Sequence, residues 1–186
     1  SDAPPLQGRV PGGARACVAQ NSMALASCHG LNVVSSVVRR PSSVVRRVAR
    51  ARLFAAGRRS AVQQYADTDA VKPADEIGFV EGADVVVPRF HGLSPVAGTE
   101  LAPMLRNEGV TTVVVAGVSL NLAIPNTVFD LVNGGFQVVV PTDGSVATVA
   151  GYGEQVLEHT LAYVATLTDV TTLIEAWFQT GREAVG

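Results

Sequence analysis

Residues 111–144 read TTVVVAGVSLNLAIPNTVFDLVNGGFQVVVPTDG, and their pattern indicates the fold class. Thr111–Val118 is a continuous apolar, β-branched run, which is typical of a strand buried on both faces. Asn121–Asn133 has the length of a helix, and Phe136–Val140 is a second apolar run that ends at Pro141. A strand, a tight turn, a helix and a second strand predict a βαβ unit, whose crossover is almost always right-handed.

The two ends of this predicted helix carry their own signals. Pro125 lies near the first turn, where proline is tolerated, and Asn133-Gly134-Gly135 ends the helix because glycine adopts the left-handed conformation at little cost. One stripe of the helix holds Leu122, Asn126, Phe129 and Val132 or Asn133. Ligands of such sheets bind beyond the carboxyl ends of the strands. The turn Ser119–Ile124 is therefore the first place to expect function.

Further apolar runs predict the other strands of a parallel sheet. Leu31–Val38 and Ala83–Val87 are strand-like, and Ala165–Thr168 has the features of a short edge strand. Helical patterns separate these runs, and this alternation predicts an α/β fold of three layers, α/β/α, with helices on both faces of the sheet. We expect a single domain over residues 1–186, in which residues 1–13, rich in proline and glycine, are an irregular lead-in.

The remaining helices are predicted from capping residues and from periodicity. Thr99 is a candidate N-cap for a helix that ends near Asn107, before Gly109. Asp169 is a candidate N-cap for a last helix that runs through Trp177. The other predicted helices are Ala14–His29, Val44–Gly57 and Tyr152–Val164.

The composition is that of a soluble globular protein. The chain has 186 residues, of which 47% are hydrophobic, and its formal net charge is -2, which fits one domain with a sizeable core. No run reaches the roughly 18 apolar residues of a membrane helix, and the N-terminus lacks the apolar core of a signal peptide, so a cytoplasmic location is expected. Cys17 and Cys28 lie on one predicted helix, where a disulfide between them is geometrically unfavourable and core packing is their expected role.

Arginines are concentrated between residues 39 and 59. A nucleic-acid surface is one interpretation of this cluster. The other is a solvated face or a subunit contact, offset by the acidic residues between positions 67 and 84, and the net charge of -2 favours it. We therefore expect no nucleic-acid partner and no membrane. We expect a homo-oligomer in which this segment pairs with the acidic loop of a neighbour.

The central stretch resembles the isochorismatase-like cysteine hydrolases. The residues that carry the resemblance are Gly117-Val118-Ser119, Asn121, Thr127, Asp130, Gly135-Phe136 and Asp143. The family's pattern is roughly Gly-Val-x-Thr-x-x-Cys-Val-x-x-Thr-Ala-x-Asp-Ala-x-x-x-Gly-Tyr, followed by Asp-Ala, and the resemblance extends over about Leu31 to Trp177. It implies a Rossmann-like parallel sheet, a cis peptide bond between Val118 and Ser119, and a small-molecule site at the carboxyl ends of the strands.

The family's chemistry needs three groups, and none of the matched positions supplies one. The family uses a cysteine nucleophile at a helix N-terminus, a carboxylate base and a lysine. The cysteine position falls on Ala123, and the lysine position falls on Arg89 or Phe90. The resemblance also implies a central first strand that carries the aspartate, but no apolar run before Ala14 fits it. Either the natural chain is longer upstream, or another segment fills that place.

Thiol hydrolysis is therefore not expected at this turn. The backbone N–H groups that hold an oxyanion in the family need no side chain, so that part of the site is expected to persist.

Other side chains near this edge of the sheet are candidates for function. Ser119 is a candidate nucleophile with His91 as its base, and a polar ligand contact is the alternative role for each. The expected substrate-binding set is Arg89, His91, Ser119, Asn121, Ala123 and Ile124. No spacing of histidines, cysteines or carboxylates indicates a metal, and no glycine-rich loop indicates a bound nucleotide, so we expect neither a metal nor a cofactor.

Two hypotheses about function follow from the sequence. In the first, the chain is a catalytically degenerate member of the family whose former active-site pocket binds a small molecule. In the second, it is an active hydrolase of a small amide, ester or vinyl ether that uses a different nucleophile. The two differ in whether an acid, a base and a nucleophile converge near Ser119.

Overall fold

The computed structural model describes residues 23–27, 34–38, 85–89 and 93–183. Within these ranges the strands are β1 Met23–Ser27, β2 Val34–Val38, β3 Val85–Arg89, β4 Thr112–Val118, β5 Gln137–Pro141, β6 Ser145–Val146 and β7 Thr166–Thr168. The helices are α1 Leu101–Asn107, α2 Ala123–Asn133, α3 Tyr152–His159 and α4 Val170–Glu183. The predictions for the lead-in, for Val44–Gly57, for the arginine-rich segment and for the two cysteines lie outside the described residues.

The strands form one sheet in the order β3-β2-β1-β4-β5-β7, and β6 also pairs with β4. β2 pairs in parallel with β3, and β4 pairs in parallel with β5. Because β1 is antiparallel to both β2 and β4, those two strands point in the same direction. The four long strands predicted from the sequence are therefore mutually parallel, which confirms the α/β prediction. Their observed bounds lie within three residues of the predicted ones.

The predicted helix Ala14–His29 is wrong in its second half, because Met23–Ser27 is strand β1. β1 pairs with β2 on one side and with β4 on the other, so it fills the centre of the sheet. Without it, β2 and β4 would have unpaired N–H and C=O groups facing each other, which is costly in the middle of a sheet. That requirement outweighs the helix propensity of Met, Ala and Leu. The expected gap in the sheet is thus filled by another segment, and that segment runs against its neighbours.

Each face of the sheet buries its own hydrophobic cluster. On one face, Val113 of β4 packs in a cluster with Ile124 and Val128 of α2, and all three are fully buried. On the other face, Leu173 of α4 packs against Val114. Alternate residues of β4 therefore serve opposite faces, as a strand requires. Helices cover both faces, as predicted.

The face of α2 that packs on the sheet is not the predicted stripe. Leu122 and Phe129 from that stripe are 41% and 40% exposed. The buried residues of the helix are Ile124, Thr127, Val128 and Leu131. Leu122 and Phe129 therefore lie on the outward side of α2, whereas Val132, also in the predicted stripe, is half-buried against the core.

Glycines end the first two helices, as the sequence predicts. After α2, the Gly135 N–H donates to the Val132 carbonyl and the Phe136 N–H donates to the Leu131 carbonyl, both at 3.0 Å. Gly135 has a φ of 84°, a left-handed conformation that glycine adopts without a side-chain clash. Gly109, with a φ of 69°, plays the same part after α1.

Arg106 joins the ends of α1 and α2. Its Nη2 donates to the Gly134 carbonyl at 2.9 Å, and its guanidinium lies 5.2 Å from the centre of the Phe136 ring. A cation over an aromatic ring at an exposed site contributes about 0.5–1 kcal/mol. The contact fixes where α2 ends and β5 begins.

Of the two predicted N-caps, Asp169 precedes its helix directly, whereas Thr99 lies one residue before the N-cap of α1, which is Glu100. Thr99 Oγ1 nevertheless accepts from the Leu101 N–H at 3.2 Å. Asp169 Oδ1 accepts from the Thr172 N–H at 2.8 Å, and its Oδ2 accepts from Thr172 Oγ1 at 2.7 Å. These bonds from Thr172 favour the charged carboxylate and hold the pKa of Asp169 below its ordinary value of 3.8.

The helix predicted over Tyr152–Val164 is shorter in the structure. It ends at His159, because Thr160 has a φ of -130° and leaves the helical region. A 3-10 turn over Leu161–Tyr163 follows. Thr166–Thr168 then pairs with β5 alone and ends the sheet, which confirms the predicted edge strand.

None of the helices in the described part of the chain has the length and apolar character that a membrane span requires. The cytoplasmic location, the single domain over the whole chain and the homo-oligomer remain predictions.

The Asp169 cap generates a pH-dependent prediction. We expect Asp169→Ala to lower the melting temperature at neutral pH, because the first turn of α4 loses the acceptor for the Thr172 N–H. The pKa of Asp169 is lowered in the folded protein, so the contribution of its charge is present above the ordinary value of 3.8 and is lost as the pH falls through the folded value. The difference between wild type and variant should therefore shrink below about pH 4.

Asp169→Asn is the control, since asparagine keeps an acceptor at the cap but carries no charge. Measured by thermal denaturation, Asp169→Asn should lower the melting temperature less than Asp169→Ala does. Its melting temperature should also lack the acid-dependent loss that the aspartate charge adds in the wild type. A wild-type advantage over the alanine variant that grew as the pH fell would contradict the assignment.

Candidate ligand site at the turn between β4 and α2

In the turn after β4, a single carbonyl accepts two backbone hydrogen bonds. Gly117 has a φ of 115°, which suits glycine alone, and the Val118–Ser119 peptide bond is cis, as the resemblance implies. The Ser119 carbonyl accepts from the Leu122 N–H at 3.1 Å and from the Ile124 N–H at 3.0 Å. The backbone therefore doubles back on Ser119 and enters α2 directly.

The first turn of α2 has no side-chain cap. Leu122 is its N-cap residue and has no polar side chain to cap it, no capping side-chain hydrogen bond occurs among the described residues, and the first turn holds no acidic residue. The Ala123 N–H and the Ser119 hydroxyl form no hydrogen bond within the described part of the chain. Helix N-termini carry partial positive charge and orphan N–H groups. The turn thus presents donors where a ligand acceptor would be stabilised.

Asn121 ties this turn to the loop that precedes α3. Its Oδ1 accepts from the Thr148 N–H at 3.0 Å and from Thr148 Oγ1 at 3.1 Å. The Asn121 side chain was predicted as a ligand contact, and these two bonds occupy its oxygen while its NH₂ group makes no hydrogen bond in the described part. Asn121 therefore holds the loop at Thr148 against the turn.

Two backbone hydrogen bonds connect the turn to β6 and to the residue before it. The Gly117 N–H donates to the Gly144 carbonyl at 3.0 Å, and the Leu120 N–H donates to the Val146 carbonyl at 2.8 Å. Ser145 lies opposite Gly117 in this pairing and is 7% exposed, and its Oγ has no hydrogen-bond partner among the described residues. β6 and Ser145 are not predicted from the sequence, because a two-residue strand has no periodicity to detect.

The structure brings part of the predicted site together. Ser119, Asn121, Ala123 and Ile124 all lie in the turn, but Ile124 is fully buried and its side chain packs in the core beneath α2. The Ala123 side chain is half-buried, and its carbonyl accepts from Thr127 Oγ1 at 2.7 Å.

The other predicted contacts come from the end of β3. Arg89 is its last residue and lies at the same edge of the sheet as the turn, three strands from β4. That separation is roughly 14 Å at the usual strand spacing. Phe90 and His91 lie outside the described residues, so the Ser119–His91 pair stays a prediction.

Two acidic residues of the resemblance do not join the turn. Asp143 Oδ1 accepts from the Val170 N–H at 2.9 Å and therefore holds the start of α4. Asp130 lies seven residues along α2 from Ala123, roughly 10 Å at the helical rise. Its buried Oδ2 has no hydrogen-bond partner in the part of the chain that the structure describes. In the described residues, no three histidines, cysteines or carboxylates are grouped as a metal site requires.

Comparison with known proteins supplies an independent result. The family model described as the isochorismatase domain matches residues 7–172. Among the curated proteins, none matches the chain.

Solved structures have the same fold. An isochorismatase family protein from Desulfovibrio vulgaris subsp. vulgaris str. Hildenborough is 23% identical, with a TM-score of 0.66 over 78% of this chain and 74% of that chain. An isochorismatase-like hydrolase from Alkaliphilus metalliredigens is 20% identical, with a TM-score of 0.63 over 78% of this chain and 70% of that chain. A nicotinamidase from Bacillus subtilis is 19% identical, with a TM-score of 0.61 over 75% of each chain. At these identities the likeness establishes the fold.

The role of Asn121 in holding the loop at Thr148 can be tested by amide hydrogen exchange. In Asn121→Ala the Thr148 N–H loses its acceptor, so we expect its exchange to accelerate roughly tenfold, the equivalent of one lost hydrogen bond. Asn121→Asp keeps an oxygen acceptor and should retain most of the protection. Equal exchange at Thr148 in wild type and in the alanine variant would show that the loop is held by other contacts.

Proposed function

Because the chain belongs to the isochorismatase family, we propose that it keeps the family's pocket at the β4–α2 turn but lacks the cysteine-hydrolase chemistry. In this proposal the protein binds a small molecule and does not hydrolyse it by a thiol mechanism. The observation that carries the proposal is the presence of Ala123 at the start of α2, where the family pattern has its nucleophile. A methyl group has no lone pair with which to attack a carbonyl carbon.

The direction of β1 supports the absence of the family's base. The resemblance implies a carboxylate at the carboxyl end of the central first strand. Here the strand in the centre of the sheet is antiparallel, so its amino end, Met23, pairs with Gly117 beside the turn. Its carboxyl end, Ser27, pairs with Val113 at the far edge of the sheet. A side chain at the end of β1 is therefore remote from the turn.

The lysine position also lacks a group that exchanges protons. Arg89 ends β3, and a guanidinium stays protonated at any pH at which the protein is folded. Such a group holds an anion or a carbonyl oxygen well, but it does not donate and recover a proton during turnover.

Backbone donors are the part of the site that the proposal retains. The unbonded Ala123 N–H lies at the positive end of α2, which favours a hydrogen-bond acceptor with negative charge or a strong dipole. One of the similar structures is named as a nicotinamidase, so small amides are the first ligands to test.

An active hydrolase with a different nucleophile is the second candidate function. It is favoured by one observation, the Ser119 hydroxyl, which lies in the turn without a hydrogen bond in the described part of the chain. A serine nucleophile needs a base within about 3 Å. Amide hydrolysis that disappears in Ser119→Ala, with the fold intact, would establish this function in place of the first.

Ala123→Cys tests whether the rest of the machinery is present. The helix N-terminus should lower the pKa of the new thiol and make it reactive toward iodoacetamide below the ordinary thiol pKa of about 8.5. Turnover of nicotinamide should nevertheless be absent, since positioned general acid–base groups contribute about 10²–10⁴ in rate. Ala162→Cys is the matched control, because residue 162 is exposed but does not begin an α-helix. Its thiol should react more slowly near neutral pH.

Peptide mapping by mass spectrometry separates labelling at position 123 from labelling at Cys17 and Cys28. Iodoacetamide should leave the ligand affinity of the wild type unchanged. Efficient hydrolysis by Ala123→Cys alone would mean that an acid and a base already surround the turn, and the proposal would then be wrong.

A further inference from the structure

The contact between α1 and the end of α2 favours a glycine at position 134. Arg106 Nη2 donates to the Gly134 carbonyl at 2.9 Å. A Cβ at position 134 would lie 3.2 Å from that nitrogen and 3.2 Å from the carbonyl oxygens of Asp130 and Leu131, which is closer than a side-chain carbon normally approaches other atoms. Glycine permits this close approach because it has no Cβ.

The residue before this glycine is an exposed asparagine. Asn133 is the last residue of α2, its side chain is exposed, and it makes no hydrogen bond in the described part of the chain. No other asparagine in the sequence is followed by glycine. Asparagine deamidates most readily before glycine, because no Cβ on the following residue blocks attack by that residue's backbone nitrogen.

Deamidation at this position would join two atoms of neighbouring residues. The Gly134 nitrogen, after losing its proton to a solvent base, attacks Cγ of Asn133. The bond from Cγ to the side-chain nitrogen then breaks, ammonia leaves with a proton taken from water, and a five-membered succinimide remains. Water opens the ring at either of its carbonyl carbons and leaves aspartate or isoaspartate, so water is the only co-reactant.

The closed end of α2 keeps these two atoms apart. The Gly134 N–H donates to the Asp130 carbonyl at 2.9 Å, so it points along the helix axis and away from the Asn133 side chain. Arg106 holds the Gly134 carbonyl and lies 5.2 Å from the centre of the Phe136 ring. Attack requires these contacts to be released. Helix ends open locally more often than the whole protein unfolds, so the reaction should follow the opening of this end.

We propose that Asn133 is a site of intrinsic deamidation and that Arg106 controls its rate by holding the end of α2 closed. Isoaspartate would add a methylene group to the backbone directly before Gly134, where the chain leaves α2 for β5. Aspartate would add a negative charge at the negative end of the helix, where it is unfavourable. The site lies roughly 15 Å along α2 from Ala123 and does not depend on the proposed function.

Peptide mapping of the full chain during storage in mildly alkaline buffer tests the site. Mass spectrometry should detect one deamidation at position 133, as both aspartate and isoaspartate. Asn107 is the internal control, because it is exposed and ends α1, and the N–H of the following Glu108 donates to the Met104 carbonyl at 3.0 Å. Its geometry matches that of Asn133, but its neighbour has a side chain, so Asn107 should stay unmodified over the same period.

Arg106→Ala tests the control of the rate. This variant should deamidate at position 133 roughly threefold to tenfold faster than wild type, the equivalent of one lost hydrogen bond. Glu100→Ala is the matched control, since Glu100 is exposed at the opposite end of α1, and it should leave the rate unchanged. Asn133→Gln should abolish the mass gain, because glutamine would have to close a six-membered ring, which forms far more slowly. Melting temperatures establish that each variant is folded during the incubation.

Three outcomes would overturn the proposal. Equal rates at position 133 in wild type and in Arg106→Ala would show that Arg106 does not control the site. Modification of the chain in urea, with none in folded wild type or folded Arg106→Ala, would show that the folded protein has no such site. If Arg106→Ala accelerated deamidation at Asn107 as much as at Asn133, the variant would have loosened α1 in general, and a specific role at the end of α2 would be wrong.

Discussion

Backbone hydrogen bonding along β4 is the constraint on which the rest of this structure depends. Residues Val113–Gly117 are all buried, so their N–H and C=O groups must pair with other strands. β1 pairs along that whole length on one side, and β5 and then β6 pair on the other. The requirement places a reversed strand at the centre of the sheet. It also accounts for the two-residue strand β6, which pairs with the last two residues of β4 beside the turn.

The same pairing makes the turn independent of the side chain at position 123. The Gly117 N–H donates to the Gly144 carbonyl, and the Leu120 N–H donates to the Val146 carbonyl. These backbone hydrogen bonds hold the turn against β6 and the residue before it. Closure on the Ser119 carbonyl then sets the start of α2. None of these interactions uses the side chain at position 123. Replacing a reactive side chain there removes chemistry and leaves the donors in place, which is the basis of the proposed function.

The sequence predicts the parts of this fold whose signal is local. The apolar runs of β4 and β5, the glycine at the end of α2 and the Asp169 cap are all read from neighbouring residues and are all confirmed. The local sequence of Met23–Ser27 predicts a helix. That prediction is wrong because pairing with the distant strands β2 and β4 makes the segment a strand. Residues 119–124 form the turn that the sequence predicts, whereas the positions of Ser145 and Thr148 beside it depend on strand register and on a loop contact, which leave no local signal.

The most direct test of the account is to follow binding and hydrolysis in one sample of the wild-type protein. Uniformly ¹⁵N-labelled protein would be titrated with nicotinamide while the amide signals of residues 119–124 and the release of ammonia are recorded together. The account predicts saturable shifts at these residues and no ammonia above the rate in buffer alone. Ammonia released in proportion to the protein, and lost in Ser119→Ala, would contradict it and identify an active hydrolase.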